Sequence, residues 1–243
     1  MPAPPQNPVI TRVSDRVWFA ESPLVNWAAV RTPRGVVLVD AGYADQAEHA
    51  LHTAGIASDG AEQPKLVAVL VTHGHTDHIG GIVDVVRQHP DIAVLAAPEE
   101  VASVRGPERE QITIQRMGAN LLRPKFVSWL RQGVRAGGLR PTAIPTARAW
   151  TDAELESYGI RAHRAPGHTI GSTSYEVLGD NVLLTGDAFV TNHLSYRRPA
   201  VGAIADLFSA DPATAAATAA TIPRTFTILP GHGPALAASH PTS

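Results

Sequence analysis

Residues 72–78 read Thr-His-Gly-His-Thr-Asp-His, so four groups able to bind a metal, His73, His75, Asp77 and His78, fall within six positions. The run follows directly on 66–71, an apolar stretch that reads as a buried strand. A strand end can hold such groups rigidly while the loop wraps them around ions. Imidazole and carboxylate are good ligands for divalent first-row metals. Gly74 is expected to let the backbone turn tightly between the first two imidazoles. One loop histidine would read as a solvated polar residue; three histidines and an aspartate packed this closely read as a metal site.

The pattern recurs further along. A strand at 160–164 leads to His168, an apolar strand at 182–184 leads to Asp187, and a strand at 226–229 leads to His232 between two glycines. Singly, these would pass as a loop histidine, a turn former and a surface residue. Together with the 72–78 run they give seven ligands, more than one tetrahedral ion needs, and the surplus argues for two ions.

The rest of the chain supplies a frame for these strand ends. Residues 9–19 and 25–30 read as strands, and 36–39 as a buried strand ending at Asp40. A helix is expected over 44–54 with Gly55 as its cap. Another is expected over 79–89, with Ile82, Val85 and Val86 on one face and Pro90 as its stop. Strands follow at 92–96 and 172–177, and Asp211-Pro212 starts a late alanine-rich helix. With 243 residues and 44% hydrophobic content, one layered α/β domain spanning 1–243 is expected. A net charge of −2 gives no argument for nucleic acid. The absence of cysteine excludes thiolate ligands and a cysteine nucleophile. No apolar run has the length of a signal peptide or a membrane span, so a cytoplasmic location is expected.

The ordered set His73-x-His75-x-Asp77-His78, then His168, Asp187 and His232, with Asp40 ending an early strand, resembles the metallo-β-lactamase superfamily. The resemblance runs from about residue 9 to 233 and implies an αββα four-layer sandwich with metals at one edge. It assigns His73, His75 and His168 to one ion, and Asp77, His78 and His232 to a second. Asp187 would bridge them, and Asp40 would support the ligand loop. The implied cofactors are two divalent ions, with zinc the first expectation and iron or manganese open. Ions about 3.5–4 Å apart can share a water and yield a bridging hydroxide near neutral pH. Asp77 would accept a proton or orient that hydroxide.

Departures from particular members narrow the reaction. Aspartate at 187, where β-lactamases of the superfamily carry cysteine or serine, argues against a true β-lactamase. The glyoxalase II type adds a long helical C-terminal region, and only ten residues follow Gly233 here. Lactonases of the superfamily use a tyrosine shortly after the bridging aspartate; here Tyr196 stands nine positions on. The expectation is a hydrolase of a small ester, lactone or thioester. An iron-dependent oxidoreductase of the persulfide dioxygenase kind stays open beside it. His193, in a loop expected to face the metals, is a candidate substrate contact.

Residues 101–150 carry nine Lys or Arg and two acids, an excess hidden by the overall charge. Within it, 125–134 reads as a helix with Phe126, Val127, Leu130 and Val134 to one side. One reading is a helical lid, with Phe126, Trp129 or Leu130 as an apolar wall and the arginines as a positive rim favouring a small anionic substrate. The other is a helical pair with solvated or paired arginines.

Overall fold

The computed structural model describes residues 7–57, 65–106 and 114–239. Both acids and one arginine of the basic segment, Glu108, Glu110 and Arg109, lie outside these, as does His240. Among the described residues, seven strands form a first sheet in chain order: β1 (Val9–Arg12), β2 (Val17–Glu21), β3 (Trp27–Thr32), β4 (Gly35–Val39), β5 (Leu66–Leu70), β6 (Ala93–Ala96) and β7 (Arg148–Ala149). The pairs up to β4 are antiparallel; those from β4 onward are parallel. Parallel pairs need crossovers. These contain α1 (Ala47–Ile56), α2 (Thr76–Ile79), α3 (Ile82–Gln88), α4 (Val101–Arg105), α5 (Ile114–Met117) and α6 (Pro124–Arg135). After α7 (Asp152–Ser157), a second sheet is built from β8 (Ile160–Arg164), β9 (Thr173–Val177), β10 (Val182–Gly186) and β11 (Thr227–Pro230), in the order β11-β10-β9-β8. α8 (Pro212–Thr221) makes the parallel crossover from β10 to β11.

Alternation along the strands sorts side chains into layers. Trp18, Ala20, Trp27 and Leu38 face α1 and α3, meeting Ala47, Ala50, Ile82 and Val85. Val17, Phe19, Val37 and Val39 face the other way, against Tyr175, Val177, Leu184 and Leu229 of the second sheet. Ala219 of α8 covers the outer side of that sheet with Phe189 and Ile228. The result is the αββα sandwich. Among the described residues no helix is long and apolar enough to cross a membrane.

Four local expectations are corrected. Residues 9–19 are two antiparallel strands, because the chain reverses at Ser14-Asp15, where Val13 N–H donates to Val17 O at 2.8 Å. Gly55 is no cap, since α1 continues through it to Ile56. The helix expected over 79–89 is two helices parted at Gly80-Gly81. A Cβ on Gly81 would stand 2.3 Å from the Ala41 carbonyl oxygen, so this break brings the backbone against the end of β4. On α6 the buried stripe is Phe126, Trp129 and Gly133, with Val134 exposed.

Candidate metal centre

The groups singled out in the sequence converge where the strands stop. Asp40 follows β4, His73 to His78 follow β5, His168 follows β8, Asp187 follows β10 and His232 follows β11. A register shift between Leu184 and Gly186 interrupts the pairing of β10 with β11 just before Asp187. Three sets of ligand atoms each lie within 4.8 Å of one another: His73, His75 and His168; His73, His78 and Asp187; and Asp77, His78 and His232. Asp187 stands between the first and last, its carboxylate 3.5 Å from His168 Nε2, 3.3 Å from His78 Nε2 and 3.2 Å from His232 Nε2.

The atoms suit divalent ions. His168 Nε2 is 3.1 Å from His73 Nε2 and 2.9 Å from His75 Nδ1. Tetrahedral bonds of about 2.0–2.1 Å to one ion would set such nitrogens roughly 3.3 Å apart. His78 Nε2, His232 Nε2 and Asp187 Oδ1 are buried without a hydrogen-bond partner among the described residues, a costly condition unless something else satisfies them. Their outward nitrogens are held. His78 Nδ1 donates to Asp40 Oδ2 (2.8 Å) and His232 Nδ1 to Leu24 O (2.6 Å). Thr72 Oγ1 donates to Asp40 Oδ2 (2.7 Å), so its lone pairs take His73 Nδ1–H at 3.1 Å. Each of these three rings therefore presents an unprotonated Nε2 inward when neutral. Asp40 also accepts Thr72 N–H at 2.9 Å, and its backbone sits in the left-handed region at φ 59°. A non-glycine residue held there is strained, as is common at functional sites.

Electrostatics divide the histidines. Burial, then the neighbouring imidazoles, pushes His73 well down and His168 down to about 3, so both are neutral. For His78 and His232 burial works in the same direction, but Asp187 and nearby carboxylates outweigh it. His78 is raised well above its ordinary value and His232 to about 9. Burial would raise Asp77 and Asp187, yet the adjoining histidines hold both below the usual carboxylate range.

Several supporting residues had no signal in the sequence. Glu100, at 1% exposure, accepts Gly74 N–H at 2.7 Å with one oxygen. Its other oxygen accepts Thr169 Oγ1–H at 2.9 Å and Gly171 N–H at 3.0 Å. It thus ties the His73–His75 loop to the His168 loop. Gly74 serves closeness rather than turning, because a Cβ there would stand 2.4 Å from Ser103 Oγ. Asn26 Nδ2 donates to Pro230 O and Gly233 O at 3.0 and 2.7 Å, fixing the His232 loop.

A cavity of about 150 Å³ opens over the ligands. His75, Asp77, His168, Asp187 and His232 form one side; Met117, Trp129, Leu130, Leu139, Ile204 and Phe208 form much of the other. Trp129 and Leu130 line it, but Phe126 does not; its ring centroid is 5.1 Å from that of Trp129, in an apolar cluster that the two share with Met117. Among the described residues no Lys or Arg lines the cavity. Arg116, Arg123 and Lys125 donate instead to backbone carbonyls of Ser209, Ser195 and Arg197, and Arg140 and Arg148 pair with Asp45 and Glu154. The first three contacts tie the α5–α6 segment to residues 195–209. His193 does line the cavity, its ring 4.6 Å from that of His232, and burial followed by His232 lowers it to about 3. Tyr196 does not; its hydroxyl accepts Ala205 N–H at 2.7 Å.

The family model of the metallo-beta-lactamase superfamily matches residues 23–232, a span that includes all seven candidate ligands. The chain belongs to the metallo-beta-lactamase superfamily. A probable metallo-hydrolase of Streptococcus pyogenes serotype M6 is 27% identical over 190 residues, covering 74% of this chain and 68% of that protein. A hydroxyacylglutathione hydrolase of Alkalilimnicola ehrlichii is 38% identical over 85 residues, which are 35% of this chain and only 30% of the relative. The solved structure of TTHA1623, in a di-iron-bound form, superposes with a TM-score of 0.55 at 24% identity, over 95% of this chain and 94% of that one. At that identity the likeness bears on the fold. That protein was solved with two iron ions bound, and the His/Asp clusters here are the candidate metal site of this chain.

Proposed function

We propose that this member of the superfamily is a dinuclear metal-dependent hydrolase acting on a small ester, lactone or thioester with an uncharged, apolar acyl group. The observation that carries the reading is the cavity: overlapping ligand clusters on one side, and on the other apolar side chains with no Lys or Arg among the described residues. His73, His75 and His168 would hold one ion, Asp77, His78 and His232 the other, with Asp187 common to both. Bound ions supply Lewis acidity and an activated water near neutral pH. The chain supplies the rest. Asp77, 17% exposed and ionised, faces the cavity and can orient the attacking water or take its proton. Trp129, Leu130 and Phe208 seat the acyl group and displace solvent around it. The α5–α6 segment acts as a lid within a single catalytic domain. Away from the metal ligands, a carboxylate on the acyl group would meet no Lys or Arg among the described lining residues, which disfavours anionic acyl groups in thioesters as well as in esters.

The test is elemental analysis of protein purified without chelator, combined with a panel of aryl esters, lactones, thioesters and a cephalosporin. Neutral and carboxylate-bearing acyl groups are compared on a shared leaving group. About two ions per chain are expected, with higher kcat/KM for neutral apolar acyl groups and poor turnover of the cephalosporin. A stoichiometry near one iron without hydrolysis would replace this reading with the oxidative one. Preference for the anionic member of each pair would refute the apolar assignment.

A further inference from the structure

His193 has its tautomer fixed by the backbone. Its Nδ1 receives the Ser195 backbone N–H at 3.2 Å and lies 2.7 Å from Ser195 Oγ. A backbone amide can only donate, so Nδ1 carries no proton, and the neutral ring must carry it on Nε2. The assignment needs no choice about hydroxyl orientation, since the amide alone decides it. The ring is 4% exposed and packed among Trp129, Phe208, Tyr196 and His232, with centroids 4.8 to 5.4 Å away for the first three. Among the described residues nothing accepts from Nε2, yet His193 lines the cavity over the ligands and a second cavity of about 330 Å³ on its other side. A ring held this firmly, in the wall of the cavity over the ligands, places its donor to meet an acceptor that arrives with a ligand.

We infer that His193 is a catalytic residue whose Nε2–H donates to the acyl oxygen of the substrate. This rests on the hydrolase reading above. The acyl oxygen gains negative charge as the attacked carbon becomes tetrahedral, so a preplaced donor stabilises the transition state more than the ground state. The group works as a donor and not as an acid–base. Loss of the Nε2 proton would leave an imidazolate, and gain of one on Nδ1 would set it against the Ser195 N–H. The proton stays on Nε2 throughout.

Three measurements test this. Long-range ¹H–¹⁵N spectra of histidine-labelled protein, with the His193 signals assigned by their loss in His193→Phe, should show the Nε2–H tautomer; an Nδ1–H tautomer overturns the inference. In the zinc-loaded enzyme His193→Phe should lower kcat by about a hundredfold with KM little changed, and His193→Gln, which keeps a donor, should recover all but about tenfold. Equal losses in both variants, at unaltered zinc content, overturn it. Calorimetric titration with octanoate, a product-like carboxylate, should show binding at least about tenfold weaker in His193→Phe than in wild type. Absence of turnover by the wild type on every ester would refute the hydrolase reading, whereas octanoate binding that ignores position 193 would refute the role of His193. Should His193→Phe fail to fold, the wild-type spectrum is assigned through His193→Gln, and octanoate binding by His193→Leu takes the place of the phenylalanine variant.

Discussion

Replacing Glu100 with alanine would remove a carboxylate that holds two ligand loops together. Its oxygens accept from Gly74 N–H, Gly171 N–H and Thr169 Oγ1–H, and all three contacts are buried. A hydrogen bond to a charged acceptor contributes about 1.5–3 kcal/mol, and a buried donor left unmade costs about 1–3 kcal/mol. Thr169 also meets Ser172 Oγ at 2.8 Å, so its hydroxyl has another partner and its share falls. The two amides then set the scale, about 3–5 kcal/mol of stability, a large part of the roughly 5–15 kcal/mol typical of a folded protein. In a chain of this size that corresponds to a Tm lower by about 10 °C. Removal should also loosen the angle between the His73–His75 loop and His168, lowering zinc affinity about 10–100-fold. Urea unfolding of chelator-treated protein gives the first number, and competition against a chromophoric chelator gives the second. A stability loss below about 1 kcal/mol together with unchanged zinc affinity would show that the loops are held by other means, and the reasoning would fail.

Asp187→Ala removes the carboxylate that stands between His168 of the first ligand cluster and His232 of the last. It should abolish most hydrolysis and reduce bound metal toward one ion while leaving the circular dichroism unchanged; wild-type turnover in this variant would sink the shared-ligand assignment. The metal-free protein should be most stable at about pH 6.5, because His73, His168 and His193, held low, cost stability as pH falls below that value. Asp77 and Asp187, held low, contribute stability that is lost as pH falls below the ordinary carboxylate range. His78 and His232, held high, contribute stability fully present below about 6.5 and lost as pH rises, for His232 through about 9. Binding of ions must expel the protons on those two histidines, so zinc addition near pH 7 should release about two protons. A metal-free stability that rises steadily from pH 6 to pH 9 would contradict this.

The layers and the ligand positions were legible because both depend on local pattern. Short apolar runs marked the buried strands, and the polar residue after each run marked the site, since side chains at strand ends point where the sheet leaves room. What escaped was long-range. Glu100 follows Pro98-Glu99, and only the arrival of Thr169 and Gly171 from the second sheet makes it a support. Basic residues could be counted in 101–150, but their carbonyl partners at 195–209 come from a segment some seventy to ninety positions away. The apolar pattern of α6 gave the helix but misjudged its buried side, because Gly133 is pressed against Tyr43 and a glycine carries no hydrophobic signal. The break at Gly80-Gly81 was likewise invisible until β4 lay alongside it.

Each ligand cluster draws on both sheets: His73 and His75 meet His168 across more than ninety positions, and Asp77 and His78 meet His232 across more than one hundred and fifty. Contacts of such separation form late in folding, because loop closure must precede any gain from them. A partly folded chain with only its first sheet assembled would hold half of each cluster, too few donors to retain an ion strongly. Tight ion capture thus becomes a record of finished topology. During refolding, zinc uptake should lag behind the formation of secondary structure, and a chain caught midway would stay free of a wrongly seated ion.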